Sequence, residues 1–289
     1  MSEPSSFCTI CTCTCHHELL GLLYSLSLHH PGAKFYCMLD TKTKDVLDNL
    51  TFKPNLNIIV KVELDKYTGL NRQMMEQMNI TKEFWDKKAD IMSYALEYEK
   101  DTIFLDSDVL ILNPINCIDN SKDVGLSPHF IKKQNTDEVG YYNAGCIWTK
   151  NKKVPLCWKK HTIKSRYHEQ ASLEDVALDY KHSMFTFGEE INVMPWRIIV
   201  GEDPTYVSKS VNIQNNNIYY NDKREGMRRF YDGEIYGKTV QAMHSRNFKM
   251  YNMTYGDRVK TPVPRSPLAP FIEHNKAGLK ERIDYDLVQ

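Results

Sequence analysis

Phe7-Cys-Thr-Ile-Cys-Thr-Cys-Thr14, then His16-His-Glu-Leu-Leu-Gly-Leu-Leu-Tyr-Ser-Leu-Ser-Leu-His29, then Phe35-Tyr-Cys-Met-Leu39 follow one another near the start of the chain. The first and third runs are short, apolar and bounded by polar residues, as buried strands are. In the second, Leu19, Leu22, Leu23 and Leu26 recur at i, i+3, i+4 and i+7, one face of a helix. His29-His30-Pro31-Gly32 ends it, because proline and glycine stop a helix and the histidines suit its C-terminal dipole. The pattern predicts a strand, a helix and a second strand in one βαβ unit.

Working outward, Ile58 to Val62 fits a further buried strand. Ile91, Tyr94, Ala95 and Tyr98 mark one helical face leading into Thr102-Ile-Phe-Leu105. Strands alternating with helices predict an α/β fold, a mainly parallel sheet covered on both faces. Past residue 120 the expected elements are shorter. They are Val124 to Leu126, Cys146 to Trp148, a helix with Leu173, Val176, Ala177 and Tyr180 inward, and a late strand Thr239 to Met243. Asn212 to Asp222 reads as a loop or weak hairpin.

The 289 residues fit one large domain or two small ones. Lys plus Arg is 37 and Asp plus Glu is 37, and a zero net charge is no footprint for nucleic acid. The longest apolar stretch, Leu19 to Leu28, falls short of the roughly 20 residues that cross a bilayer, so no transmembrane segment is expected. Met1-Ser-Glu-Pro-Ser-Ser has no basic leader, which points to the cytoplasm or the cytosolic face of a membrane. Sequons at Asn49, Asn79 and Asn252 are then ascribed to composition. Cys8, Cys11, Cys13 and Cys15 with His16 and His17 suggest zinc, but Cys37, Cys117, Cys146 and Cys157 are scattered singly. Reduced thiols on a strand that continues through Thr14, with Cys11, Cys13 and Cys15 on one face, are the preferred reading.

Two aspartates one residue apart interrupt an otherwise unbroken apolar strand in Ile103-Phe-Leu-Asp106-Ser107-Asp108-Val-Leu-Ile-Leu112. Carboxylates there are costly unless paired or holding a metal, and their spacing lets both reach one hard divalent ion at the edge where α/β sheets bind ligands. A plain Asp turn ending a strand explains the pair about equally well. Carboxylate oxygens with open positions beside them suit Mn²⁺ or Mg²⁺.

Taken with three further motifs, this segment resembles the GT-A glycosyltransferases, in particular the family-8 type related to glycogenin and the lipopolysaccharide galactosyltransferases. The motifs are Tyr142-Asn143-Ala144-Gly145, Glu169-Gln170-Ala171-Ser172-Leu173-Glu174, and His244 with Lys249. The second of these departs from the family's Asp-Gln-x-x-Leu-Asn, which lies on a helix, by Glu at both ends. The resemblance implies a single Rossmann-like GT-A domain over residues 1–260, with a nucleotide-binding half to about 120, an acceptor and sugar half after it, and a tail at 261–289. It implies a hexosyltransferase using a nucleotide diphosphate sugar, UDP being expected, with retention. Asp106, Asp108 and His244 would hold the metal. Thr12, Cys13, Lys88, Asp90, Ser107, Asn143, Ala144 and Lys249 would contact the donor. Gln170 would sit by the reacting carbon and Glu169 on sugar hydroxyls, with Glu174 and Asp175 as further carboxylates for a general base. The acceptor would be a glycan, a lipid-linked sugar or a protein. Pro195-Trp196-Arg197 is an equivocal acceptor wall.

Two other classes compete. A sugar nucleotidyltransferase also uses paired aspartates, but normally has a Gly-rich loop after its first strand, and Thr9 to His17 has no glycine. A non-catalytic nucleotide-sugar-binding module would keep metal binding without turnover.

Overall fold

The computed structural model describes residues 2–50, 53–111, 113–129, 133–188 and 191, together with strand segments 211–214, 217–220, 238–239 and 242–244; for 133–134 and from 211 onward it describes backbone alone. The 261–289 tail, Lys249 and the 195–197 wall lie outside the described residues.

Strand β1 (Ser6–Cys11), helix α1 (His16–His29) and strand β2 (Lys34–Leu39) form the expected βαβ unit. After α2 (Thr41–Asp48) come β3 (Asn57–Val62), the short α3 (Arg72–Gln77) and α4 (Thr81–Tyr98), which leads into β4 (Thr102–Leu105). Then follow β5 (Val109–Ile111), β6 (Val124–Pro128), α5 (Lys133–Val139), β7 (Tyr142–Thr149), α6 (Lys153–Thr162), α7 (Leu173–Asp179) and β8 (Met184–Thr186). Four more strands close the described chain: β9 (Val211–Gln214), β10 (Asn217–Tyr220), β11 (Lys238–Thr239) and β12 (Ala242–His244).

Seven strands make the central sheet in the order β3-β2-β1-β4-β7-β6-β8. The β3-β2-β1-β4 half is parallel, β7 runs antiparallel to both β4 and β6, and β8 is parallel to β6. The fold is therefore α/β with a mixed, mainly parallel sheet. Alternation along the strands divides the core in two. Cys8 and Ile10 of β1 join Tyr36, Met38 and Phe104 beneath α4, while Phe7 and Cys11 join Phe35, Leu39 and Leu105 beneath α1. Burying both faces explains why these strands read as continuous apolar runs.

Two expectations are corrected. The first strand does not continue to Thr14. It ends at Cys11, and Cys13–Cys15 form a 3₁₀ turn, because the chain must cross the sheet's edge to enter α1. Nor does Ile103 to Leu112 form one strand: the aspartates sit in a turn closed by Val109 N–H donating to Asp106 O at 3.0 Å. β5 leaves the central sheet and pairs with β12 instead.

All eight cysteines are free thiols. Cys8 and Cys11 lie in opposite halves of the core, so the N-terminal group cannot converge on one ion. Burial pushes the Cys8 thiol up to about 12 and that of Cys11 well above its usual range, as befits reduced core thiols. Asn212 to Asp222 is in part a hairpin, β9 pairing antiparallel with β10. No described helix is long and apolar enough to cross a membrane.

Candidate active site

In a parallel sheet whose order runs outward from β1 in both directions, the crevice beyond the C-terminal ends of the two diverging strands is where ligands sit. Here those strands are β1 and β4. A cavity of about 270 Å³ opens there, lined by Ile10, Cys11 and Thr12 from the end of β1 and by Asp106, Ser107 and Asp108 from the end of β4. Thr14, Cys15 and Glu18 close one side, and Leu70, Asn71, Arg72, Met75, Phe84 and Trp85 the other.

The turn after β1 is held from behind by Asp40, the fully buried N-cap of α2. Its carboxylate accepts from Thr43 N–H at 2.9 Å, from the Thr68 hydroxyl at 2.8 Å and from Cys13 N–H at 3.1 Å. Burial alone would raise this carboxyl, but the donors outweigh it and hold it below the usual range. The same bond takes Cys13 to the wall behind the cavity, leaving Thr12 and Thr14 to line it.

Asp106 is tied to the third strand of the site. Its N–H donates to Gly145 O at 3.0 Å, continuing the β4–β7 register of Leu105 opposite Cys146. The Asn143-Ala144-Gly145 motif thus lies alongside the acidic turn. Asn143 Oδ1 accepts from Gly145 N–H at 2.8 Å, and its amide meets His129 Nε2 at 3.1 Å.

Lys88 comes in from α4 and is almost wholly buried, its ammonium 2.9 Å from Asp106 Oδ1 and 2.8 Å from Glu169 Oε1. Trp85 and Phe104 offer their rings at 4.9 and 5.4 Å. Burial pulls a lysine down, but the two carboxylates more than reverse this and leave the ammonium charge more secure than in water. One cation thereby links the acidic turn to the segment carrying Glu169 and Gln170.

That segment is a series of turns leading into α7, which begins only at Leu173, so Glu169 and Gln170 precede the helix that the motif places them on. Gln170 donates its amide to Val139 O at 3.0 Å. Gly140, at φ +100°, leaves 2.8 Å between the site of an added Cβ and Ala171 Cα, so only glycine lets the chains approach here. Glu174 accepts from Tyr141 N–H and pairs with Arg166, which keeps its carboxyl low and ill suited to general-base work.

Asp90 faces away from the cavity and pairs with Lys159 and Lys87. His244, on β12, stands in register with Val109, next to Asp108 in sequence. The backbone therefore brings the late histidine strand beside the acidic turn. Sequence reasoning passed over Arg72, which lines the cavity and meets His168. It sits in a polar stretch without periodicity, and the one available cue was Asn71 as an N-cap. Asp40, by contrast, carried a usable cue: an aspartate directly after an apolar strand with a helix to follow.

No family model matches the sequence, and no curated protein matches it. Solved structures do. Galactosyltransferase LgtC, solved with donor and acceptor sugar analogs, aligns over 94% of this chain and 94% of its own, with TM-score 0.53 and 14% identity. Glycosyltransferase GlyE of Streptococcus pneumoniae TIGR4, in its apo form, aligns over 99% of this chain with TM-score 0.50 and 11% identity, and this chain spans 62% of its length.

Proposed function

We propose that this chain, a protein of GT-A glycosyltransferase fold, is a hexosyltransferase that moves a sugar from a nucleotide diphosphate, UDP being the expected one, to a hydroxyl of a glycan acceptor. The observation that carries this reading is the cavity at the β1/β4 divergence with Asp106 and Asp108 in its lining. Support comes from the backbone register that puts His244 beside the same turn.

The donor set fits a hard divalent ion, Mn²⁺ or Mg²⁺. Asp106 and Asp108 offer carboxylate oxygens, and His244 is the third ligand in this reading. When bound, such an ion neutralises charge on the departing diphosphate. The protein's own part is preorganisation. Lys88 fixes Asp106 from inside the core, so little reorganisation is left for the reaction step. The same ammonium restrains Glu169, which in this reading meets sugar hydroxyls, with Gln170 next to it by the reacting carbon. Asn143 and Ala144 lie on β7 beside the acidic turn, and in this reading Thr12 and Ser107, both in the lining, contact the nucleotide. Transfer with retention belongs to this proposal.

The test is a panel of nucleotide sugars with and without Mn²⁺, read by thermal shift and by release of nucleoside diphosphate, on wild type and on Asp106→Asn and Asp108→Asn. We expect one sugar nucleotide to stabilise the protein only with the ion, and turnover to fall by at least about 100-fold in either variant, the scale of losing one preorganised charge-stabilising group. Binding that ignores both the ion and the substitutions overturns the proposal. Ion-dependent binding without turnover points to the non-catalytic module.

A further inference from the structure

α6 and α7 pack side by side, and their shared outer edge carries a second group of ligand-type side chains. Cys157 and His161 are one helical turn apart on α6, so they project from the same face. Asp179, the last residue of α7, reaches both: its Oδ2 lies 3.2 Å from Cys157 Sγ and 2.8 Å from His161 Nε2. All three ligand atoms fall within 4.8 Å of one another, the one such group among the described residues. From this geometry we propose that Cys157, His161 and Asp179 form a metal site for a borderline divalent ion, Zn²⁺ above all, separate from the sugar-transfer cavity.

Ligand type argues for zinc over the ion of the main site. A thiolate and an imidazole select Zn²⁺, whereas an oxygen-rich site suits Mn²⁺ or Mg²⁺. Charge also balances, since one thiolate and one carboxylate neutralise a divalent cation. Bonds of about 2.0 to 2.3 Å to a tetrahedral centre need ligand atoms about 3.3 to 3.7 Å apart. The His161–Asp179 contact must therefore open by roughly half an ångström, which a half-exposed Asp179 side chain permits by rotation. The fourth position faces solvent and takes water.

Without metal, burial and the Asp179 carboxylate push the Cys157 thiol up to about 11, so the ion displaces one thiol proton to solvent. His161 ligates through Nε2 as neutral imidazole with its proton on Nδ1. No electron is transferred. Asp175, one turn before Asp179, adds to the negative field at the thiol, and Lys160 opposes it. The ion would clamp the connection between α6 and α7, the segment that carries Glu169 and Gln170. Trp158, next to Cys157, already anchors that segment by donating Nε1–H to Glu169 O at 2.8 Å.

Tag-free, metal-stripped full-length protein titrated with Co²⁺ tests this. One equivalent should produce a thiolate-to-cobalt charge-transfer band with visible bands of tetrahedral intensity, both abolished by Zn²⁺. Asp108→Asn should keep the bands and Cys157→Ser should lose them. His161→Ala should weaken Co²⁺ binding by at least about tenfold, the lower bound for residues supporting a metal site. Circular dichroism establishes that each variant is folded, and Asp179→Asn replaces any that is not. Absence of the charge-transfer band in wild type, or its persistence at full strength in folded Cys157→Ser, overturns the proposal.

Discussion

Lys88 with Asp106 and Glu169, and His161 with Asp179 and Cys157, are both small polar clusters, yet one is built around a buried ammonium and the other opens to water. Lys88 is 3% exposed and Glu169 9%, with Asp106 at 30% where it meets the cavity, against 23% for His161 and 51% for Asp179. The contact distances are nearly the same in both, at 2.8 to 2.9 Å in the first and 2.8 Å in the second. What differs is the medium. In the core Lys88 and Glu169 have no water to return to, so each depends on its partner, whereas at the surface solvent substitutes for a lost partner.

The sharpest way to break this comparison is Lys88→Met. It leaves two carboxylates facing one another with no cation, and removing one partner of a buried ion group costs about 3–5 kcal/mol. Urea unfolding should show that loss, and a change under about 1 kcal/mol would mean that water reaches the cluster. Titration gives an independent check. Because the lysine's folded value is raised, its contribution is complete below the unfolded value of about 10.4 and is lost as pH climbs through the folded one. Wild type should therefore show an alkaline fall in stability above about pH 10.4 that Lys88→Met lacks.

Asp40 sharpens the comparison from another side, since it is a buried carboxylate held by three donors and, among the described residues, by no cation. Asp40→Ala removes an N-cap and orphans Cys13 N–H, and should cost about 2–3 kcal/mol. Its carboxyl is depressed, so its contribution is complete above the unfolded value of about 3.9 and fades as pH falls through the folded one. The variant should accordingly lose part of the acid limb of the stability profile below about pH 4. An unchanged acid limb would show that hydrogen bonds alone do not keep this carboxylate ionised.

The two halves of the molecule also differ in how far the sequence disclosed them. β1, α1, β2, α4 and β4 bury apolar residues, and apolar runs and helical period locate them to within a few residues, except where α4 extends back to Thr81 beyond its apolar face; β3, expected buried, is instead the half-exposed edge strand. α2, α3, α5 and α6 escape that reading. Lys-rich α2 buries only Thr43, and α3 buries only Met75, too little for a pattern. At the site, the acidic turn was legible because charge interrupts an apolar run. The Lys88 triad was not: a lysine on an amphipathic helix looks solvated until the fold places Asp106 and Glu169 around it. Cys157 looked like one more scattered thiol, because its partner Asp179 lies 22 residues away on another helix.

Gly140→Ala tests the rigidity of the segment to which the buried cluster is attached. A methyl group there meets Ala171 Cα on a backbone at φ +100°, so the two chains must separate. The expected cost is about 1–3 kcal/mol, from overpacking together with left-handed strain. Sugar transfer should fall further than the stability loss accounts for, because Glu169 and Gln170 move with Ala171 away from Lys88 and Val139. A variant as active as wild type once folded would detach this segment from the chemistry.

The smallest effect belongs to the exposed cluster. His161→Ala in the presence of chelator removes one partner of a pair that solvent already screens, and the thermal midpoint should not move measurably. With Zn²⁺ added, wild type should gain stability by mass action while the variant gains little, so the same substitution becomes visible only with the ion present. The contrast with Lys88→Met would then rest on what each cluster is built around: a cation supplied by the chain and always in place, or one drawn from solution. A large loss for His161→Ala in chelator would mean that this edge is as dependent on its internal pairing as the core, and the distinction between the two clusters would fail.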